Sequence, residues 1–149
     1  MNWHASANFI SKIFSDCILL DIGSTTTDII PIKNKKINLK SFTDFYRLNN
    51  SSLIYTGVLR TPITSITNSI NFKKRKYKLM NENFATIGDV YRILGEIPKK
   101  VDLNETSDMK SKKKRASARR LSRLLGLDYK HLKFNDCKQA ALNVKKKHI

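Results

Sequence analysis

Trp3, Ala7, Ile10 and Phe14 recur at spacings of four, three and four, which places them on one face of a helix over residues 2–15 with Asn2 as its cap. The period then changes. Cys17-Ile-Leu-Leu-Asp-Ile22 is nearly continuous in apolar side chains and predicts a strand buried on both faces. Gly23 and Ser24 break that run, and Ile29-Ile-Pro-Ile32 forms a second one. Lys33-Asn34-Lys35-Lys36 has the chemistry of a turn ahead of Ile37 to Leu39, so the three segments read as an antiparallel meander. Pro31 suggests an edge or a bulge in it.

Farther on the pattern is mixed. A short helical or irregular piece is expected around Asp44 to Leu48, then an extended Leu53 to Thr56, with Gly57 opening Val58 to Pro62. Thr64 to Ile70 and Tyr77 to Met80 read as a hairpin with a basic tip at 71–76. Phe84, Ile87, Tyr91 and Leu94 have helical spacing over 83–94, with Gly95 near the end and Pro98 as a stop. Phe84 is read as a core residue. Residues 102–114 are polar without a period and predict a loop. Ala118, Leu121, Leu124 and Leu125 return as the apolar side of a basic helix over 116–125, and a last short helix is expected over 138–144. No internal repeat is visible.

With 149 residues, 40% of them hydrophobic, the chain can bury a core, and wholesale disorder is excluded. The apolar run Cys17 to Leu20 is far too short to cross a bilayer, so no membrane partner is expected. Cys17 and Cys137, with three histidines, fit neither a disulfide framework nor a metal-ligand spacing. With no signal-peptide pattern at the N-terminus, the expectation is a cytoplasmic protein. The net charge is +17, divided as −2 over residues 1–32, +10 over 33–100 and +9 over 101–149. Such an excess can attract polyanions. Lysine outnumbers arginine 21 to 8, however, and the clusters at 33–36, 73–78 and 145–147 lie in turns or at the terminus without interleaved aromatics. Compositional drift at exposed positions is therefore preferred over nucleic-acid binding.

One segment concentrates chemistry. Asp21-Ile-Gly-Ser-Thr-Thr-Thr-Asp28 sets a glycine, four hydroxyl residues and two carboxylates between two apolar strands. Gly23 lets the main chain approach an anion, and the N–H groups and hydroxyls of Ser24, Thr25, Thr26 and Thr27 supply donors. Asp21 and Asp28 would repel a phosphate but suit a magnesium ion beside it. The bland alternative is a hairpin whose polar side chains satisfy their own backbone, and for so short a sequence it is the stronger one.

Resemblance changes that balance. Ile18 to Ile32 resembles the second phosphate loop of the hydantoinase/oxoprolinase relatives within the acetate kinase, sugar kinase, heat-shock protein and actin superfamily. Asn2-Trp-His-Ala, Thr43-Asp44, Arg47-Leu48, Tyr55-Thr-Gly-Val58, Arg60-Thr-Pro62, Phe84-Ala-Thr86, Asp89-Val-Tyr91, Leu94-Gly95 and Ala118-Arg-Arg-Leu121 follow in order. They do so as in proteins of the tetrahydromethanopterin-linked one-carbon pathway, which are similar to a synthase of methanofuran biosynthesis. The resemblance covers nearly the whole chain.

It implies an α/β fold, the second lobe of an actin-like (ribonuclease H-like) ATPase, with a mixed sheet and flanking helices and the first lobe missing. Residues 1–100 would form that lobe, and 101–149 a polar loop and basic helices packing on it. The implied reaction transfers an aminomethylfuran unit to a phenol with release of diphosphate. Asp21 and Asp28 would be the catalytic and magnesium-positioning residues, and Gly23 to Thr27 would hold ATP or the substrate's diphosphate. Thr56, Gly57, Arg60 and Thr61 would form a second set of anion contacts. A separate chain would supply the missing lobe. Three other readings stand beside this one: an ATP-dependent amide or cyclic-imide hydrolase of the same superfamily, a basic nucleic-acid-binding module built on Arg119, Arg120 and Arg123, and an inactive fragment.

Overall fold

A computed structural model describes residues 2–148. Contacts divide the chain into two compact units, Met1–Gly57 and Val58–Ile149. The division implied by the resemblance falls at residue 100, whereas the division by contacts falls at residue 57.

In the first unit, helix α1 (Asn2–Ile13) precedes strands β1 (Cys17–Ile22), β2 (Thr27–Lys33) and β3 (Lys36–Ile37), helix α2 (Asp44–Asn49) and strand β4 (Leu53–Ile54). The side chain of Asn2, expected as the cap of α1, lies outside the described residues. The meander forms as its pattern predicts. Strands pair antiparallel in the order β1-β2-β3, and β4 also pairs antiparallel with β2. Asn34 and Lys35 make the β2–β3 turn with positive φ, the backbone that a two-residue hairpin connection requires. Trp3 and Ala7 of α1 bury against Ile30, with Leu19, Ile37 and Leu39 around them.

Two expectations for this sheet change. β1 is not buried on both faces: its exposure alternates, and Ile18, Leu20 and Ile22 are open. Helix α1 covers only one side of the sheet, and β1 lies at the sheet's edge. Pro31 sits in neither an edge strand nor a bulge but in β2, in register with Ile18. Its carbonyl still accepts from Asn38 N–H at 2.8 Å, one position beyond the Ile32–Ile37 pair, and the reciprocal bond back to Asn38 is the one that a proline cannot make.

The second unit contains strands β5 (Ser69–Phe72) and β6 (Arg75–Lys78) and helices α3 (Ile87–Leu94), α4 (Lys114–Leu124) and α5 (Phe134–His148). The expected hairpin is present but shorter, with Lys73 and Lys74 at positive φ in its turn. Residues 63–65 form a 3-10 turn instead of strand. α3 starts at Ile87, where Thr86 and Asp89 form a capping box, and ends on left-handed Gly95. α5 is longer than expected, because Cys137, Ala140, Ala141 and Val144 give it an apolar stripe. α3 packs against both α4 and α5, and β5 packs on α5. Ile63, Ile70, Ile87, Val90, Leu121 and Val144 are in their core, and Phe84 is partly buried against it. Together the elements make an α/β protein with flanking helices, and every described strand pair is antiparallel.

Candidate functional site

The hydroxyl-rich segment is the turn between β1 and β2. Gly23 N–H donates to Thr26 O at 2.8 Å and closes the bend, leaving Ser24 and Thr25 at its tip with hydroxyls 3.4 Å apart. A Cβ on Gly23 would lie 3.3 Å from Thr26 O, which is tight but tolerable. The small residue on which the bend depends is Gly57. There a Cβ would stand 2.6 Å from both Gly23 O and Thr25 N and 2.7 Å from Ser24 C. The Thr56–Gly57 backbone is thus pressed against the main chain of the bend, and Thr27 Oγ1 fastens it by donating to Thr56 O at 2.7 Å. Beside this contact the hydroxyl oxygen of Thr56 is buried with no hydrogen-bond partner. Buried hydroxyls are normally satisfied, so the orphan marks a place where an acceptor or donor is wanted.

Asp21 and Asp28 are directly opposite each other in the ladder, on the face that carries Leu19 and Ile30. Like charges in such a pair destabilise it. The fold answers with Arg47 of α2. This fully buried guanidinium pairs with Asp28, contacts Asp44 at 3.5 Å and Ser52 O at 3.4 Å, and lies 4.0 Å over the Trp3 ring. Its Nε finds no partner. The two carboxylates therefore differ: Asp28 is neutralised by Arg47, while no ion pair to Asp21 occurs among the described residues.

Among the described residues, no three His, Cys, Asp or Glu side chains converge on a point. Magnesium bound beside a phosphate needs only one or two carboxylates, since water and the phosphate oxygens complete its shell. Asp21 fits that demand, whereas Asp28 is held by Arg47. The orphaned Thr56 hydroxyl fits an oxyanion as its acceptor.

Of the sequence-derived residues, Asp21, Gly23 to Thr27, Asp28, Thr56 and Gly57 come together in the first unit. Arg60 and Thr61 belong to the second unit, where Thr61 is buried and its carbonyl accepts from Ile87 N–H at 2.8 Å. A cavity of about 580 Å³, lined by Arg92, Lys99, Asp102 and Lys112 to Lys114, is also in the second unit and contains none of them. Of the three arginines expected on the basic face of α4, one is turned inward and two are exposed. Arg120 is buried on Asp89 and Asp108, Arg123 lies over Phe84, and Arg119 lies over Tyr129. Sequence reasoning gave Arg47 and Trp3 no role at the site. A lone arginine in a short amphipathic helix was the available signal, but nothing local links it to Asp28.

No helix among the described residues is long and apolar enough to cross a membrane. Two relatives are similar to this chain, both described as (4-{4-[2-(gamma-L-glutamylamino)ethyl]phenoxymethyl}furan-2-yl)methanamine synthase. The one from Methanocaldococcus jannaschii is 41% identical over 133 residues, which cover 89% of this chain and 40% of the relative. The one from Methanococcus vannielii is 42% identical over 123 residues, covering 82% of this chain and 55% of the relative. The chain thus spans about half or less of the length of these relatives. The hydantoinase/oxoprolinase family profile matches residues 1–147, and with that match the chain belongs to the hydantoinase/oxoprolinase family.

Proposed function

We propose that the first unit carries the oxyanion-holding bend of a hydantoinase/oxoprolinase-type enzyme acting in methanofuran biosynthesis. Its ligand is the diphosphate of a small furylmethyl substrate, displaced by a phenol oxygen to make a phenoxymethylfuran link such as the one in the compound for which the two relatives are named. The observation that supports this reading most is the buried, unpartnered Thr56 hydroxyl beside a bend that Gly57 allows to pack backbone to backbone.

Displacement of diphosphate from a furylmethyl carbon needs the leaving charge held as it develops, so fixed donors do most of the work. The bend's Ser24 and Thr25 hydroxyls and the Thr56 hydroxyl are the donors this chain offers. Asp21 is the group that would position a magnesium ion, whose chemistry when bound is to neutralise the leaving diphosphate. Arg47 holds Asp28 in a fixed, neutralised pair, which keeps a second negative charge from opposing the anion. The rest of the catalytic apparatus, including a first lobe, comes from outside these 149 residues.

The test is a titration of the amide resonances of Gly23 to Thr27 with magnesium diphosphate and, in parallel, with magnesium ATP. Diphosphate alone moving them fits the synthase reading; ATP moving them with release of ADP fits the amide or cyclic-imide hydrolase of the same superfamily. Thr56→Val is expected to weaken diphosphate binding about tenfold to a hundredfold, the worth of one hydrogen bond to a charged acceptor. Resonances unmoved by either ligand overturn the reading.

A further inference from the structure

We propose that the second unit carries a site for a phosphate monoester of a small apolar body, formed by Arg119 and Arg123 of α4 together with Lys130. The turn after α4 assembles it. Leu127 N–H donates to Ser122 O at 3.0 Å and Gly126 N–H to Arg123 O at 2.9 Å, with Gly126 left-handed, so the chain reverses directly at the helix end. Asp128 then accepts from Lys130 N–H at 3.0 Å and sets the short 3-10 turn Tyr129–His131, which packs back on α4. A cavity of about 420 Å³ opens there, and Arg119, Arg123, Leu127, Asp128, Tyr129 and Lys130 line it.

The two guanidinium groups are set in place before any ligand arrives. Arg119 and Arg123 are four residues apart on α4 and so share one face of it. Arg119 lies 5.7 Å over the Tyr129 ring and Arg123 5.6 Å over the Phe84 ring, and both rings pack on the core of the unit. A guanidinium held by its face keeps its N–H edge for an anion. Elsewhere the chain commits arginines to carboxylates: Arg47 to Asp28, Arg92 to Asp102 and Arg120 to Asp89. Among the described residues no carboxylate pairs with Arg119, Arg123 or Lys130.

The ligand class follows from charge and shape. Three cations face the single carboxylate of Asp128, and a dianion cancels the excess. A phosphate monoester is a dianion above its second pKa of about 6, and its three terminal oxygens can engage both guanidinium forks at once. Half-buried Leu127 gives the cavity an apolar wall for the body that carries the phosphate. The site is separate from the bend, since none of residues 21–28 lines it.

The experiment titrates the full 149-residue chain with phenyl phosphate and, in parallel, with inorganic phosphate, at about 0.15 M salt. The Nε–H resonances of Arg119 and Arg123 and the amides of Tyr129 and Lys130 are followed by NMR. Phenyl phosphate is expected to move them with a Kd of about 1 mM or tighter, and inorganic phosphate to bind about fivefold more weakly, because it brings no body to Leu127. Arg119→Gln and Arg123→Gln, both at exposed positions, should each weaken the ester by about tenfold or more while α3 amide exchange stays as it is. Arg115→Gln removes the same charge one turn earlier on α4, outside the cavity, and should change binding by less than about twofold. Thr56→Val, which reads the bend, should leave this titration unaltered, so that failure of the bend and failure of the cavity are told apart. The proposal is overturned by resonances that do not move, by inorganic phosphate binding as tightly as the ester, or by Arg115→Gln costing as much as Arg123→Gln. The last result would make α4 a general attractor of polyanions.

Discussion

Arg47 carries a fully buried positive charge whose nearest carboxylate is Asp28, the β2 residue directly across the ladder from Asp21. The pair ties α2 to the strand after the bend, and the Trp3 ring stacked on the guanidinium ties in α1. One cation thereby connects three elements of the first unit and sets the electrostatic difference between the two aspartates.

Removing one partner of such a pair leaves the other charge stranded. Arg47→Met is expected to destabilise the first unit by about 3 kcal/mol, read as the urea midpoint of Trp3 emission, the chain's single tryptophan. Arg47→Met with Asp28→Leu should recover part of that loss, because neither charge is then left unpaired. A single variant within about 0.5 kcal/mol of the parent, the range of an ordinary surface substitution, would refute the role given to Arg47.

Gly57 and Gly23 make contrasting predictions. Gly57→Ala places a methyl 2.6 Å from two backbone atoms that cannot swing away, so it should cost about 1–3 kcal/mol. Gly23→Ala meets only Thr26 O at 3.3 Å and should cost clearly less. The same tryptophan-detected unfolding orders the two. The reverse order would mean that the bend, not the Thr56–Gly57 segment, carries the steric constraint.

Asp89 organises the second unit. Its carboxylate is wholly buried and accepts from Arg92, from Arg120 Nε and Nη2, and from the Thr86 N–H at the start of α3. Asp89→Leu strands two guanidinium groups and removes the cap, for an expected loss of about 3–5 kcal/mol. Amide exchange in α3 is the readout, since Trp3 reports the other unit.

What the sequence disclosed and withheld follows from range. The meander, the basic hairpin and α3 were legible because apolar period, turn chemistry and capping act over a few residues. Asn34 and Lys35 announce their turn locally, and Gly95 ends its helix as expected, whereas the start expected at residue 83 moves to Ile87, where Thr86 and Asp89 cap it. The bend between Asp21 and Asp28 was legible as a candidate for the same reason, as was its likeness to a phosphate loop. Arg47 was not, because it meets Asp28 across 19 positions. The openness of β1 was not either: an apolar run states what can be buried and says nothing of what covers it. Arg120 illustrates the converse error. A basic helix reads as a solvated or nucleic-acid-facing surface until its partners, Asp89 and Asp108, are seen to be 31 and 12 positions away.

The second unit should lose stability in two steps as pH falls. Burial lowers the pKa of the His148 imidazole, so the unfolded chain takes up a proton there first, and stability declines below about pH 6.5, the ordinary histidine value. The second step belongs to carboxylates. Hydrogen bonds from Arg92 at 2.6 and 2.7 Å hold Asp102 below the usual carboxylate range, against a burial that works the other way, with Arg92, Lys112 and Arg120 adding attraction. Lys73, at 2.6 Å, does the same for Asp136, again against burial, with the Lys133 N–H and the Lys73 and Lys133 charges assisting. A carboxylate with a depressed folded pKa contributes stability that is present above its unfolded value of about 3.9 and disappears as pH falls through the folded one. Both groups therefore act below about pH 4, in the same direction as His148. Urea unfolding of the second unit, followed by α3 amide exchange at about pH 7, 5 and 3, is expected to show midpoints falling throughout. Asp102→Asn should flatten the lower step while leaving the upper one, and His148→Gln should do the opposite. A second unit as stable at about pH 3 as at pH 5 would mean that these ion pairs contribute nothing net to its folding.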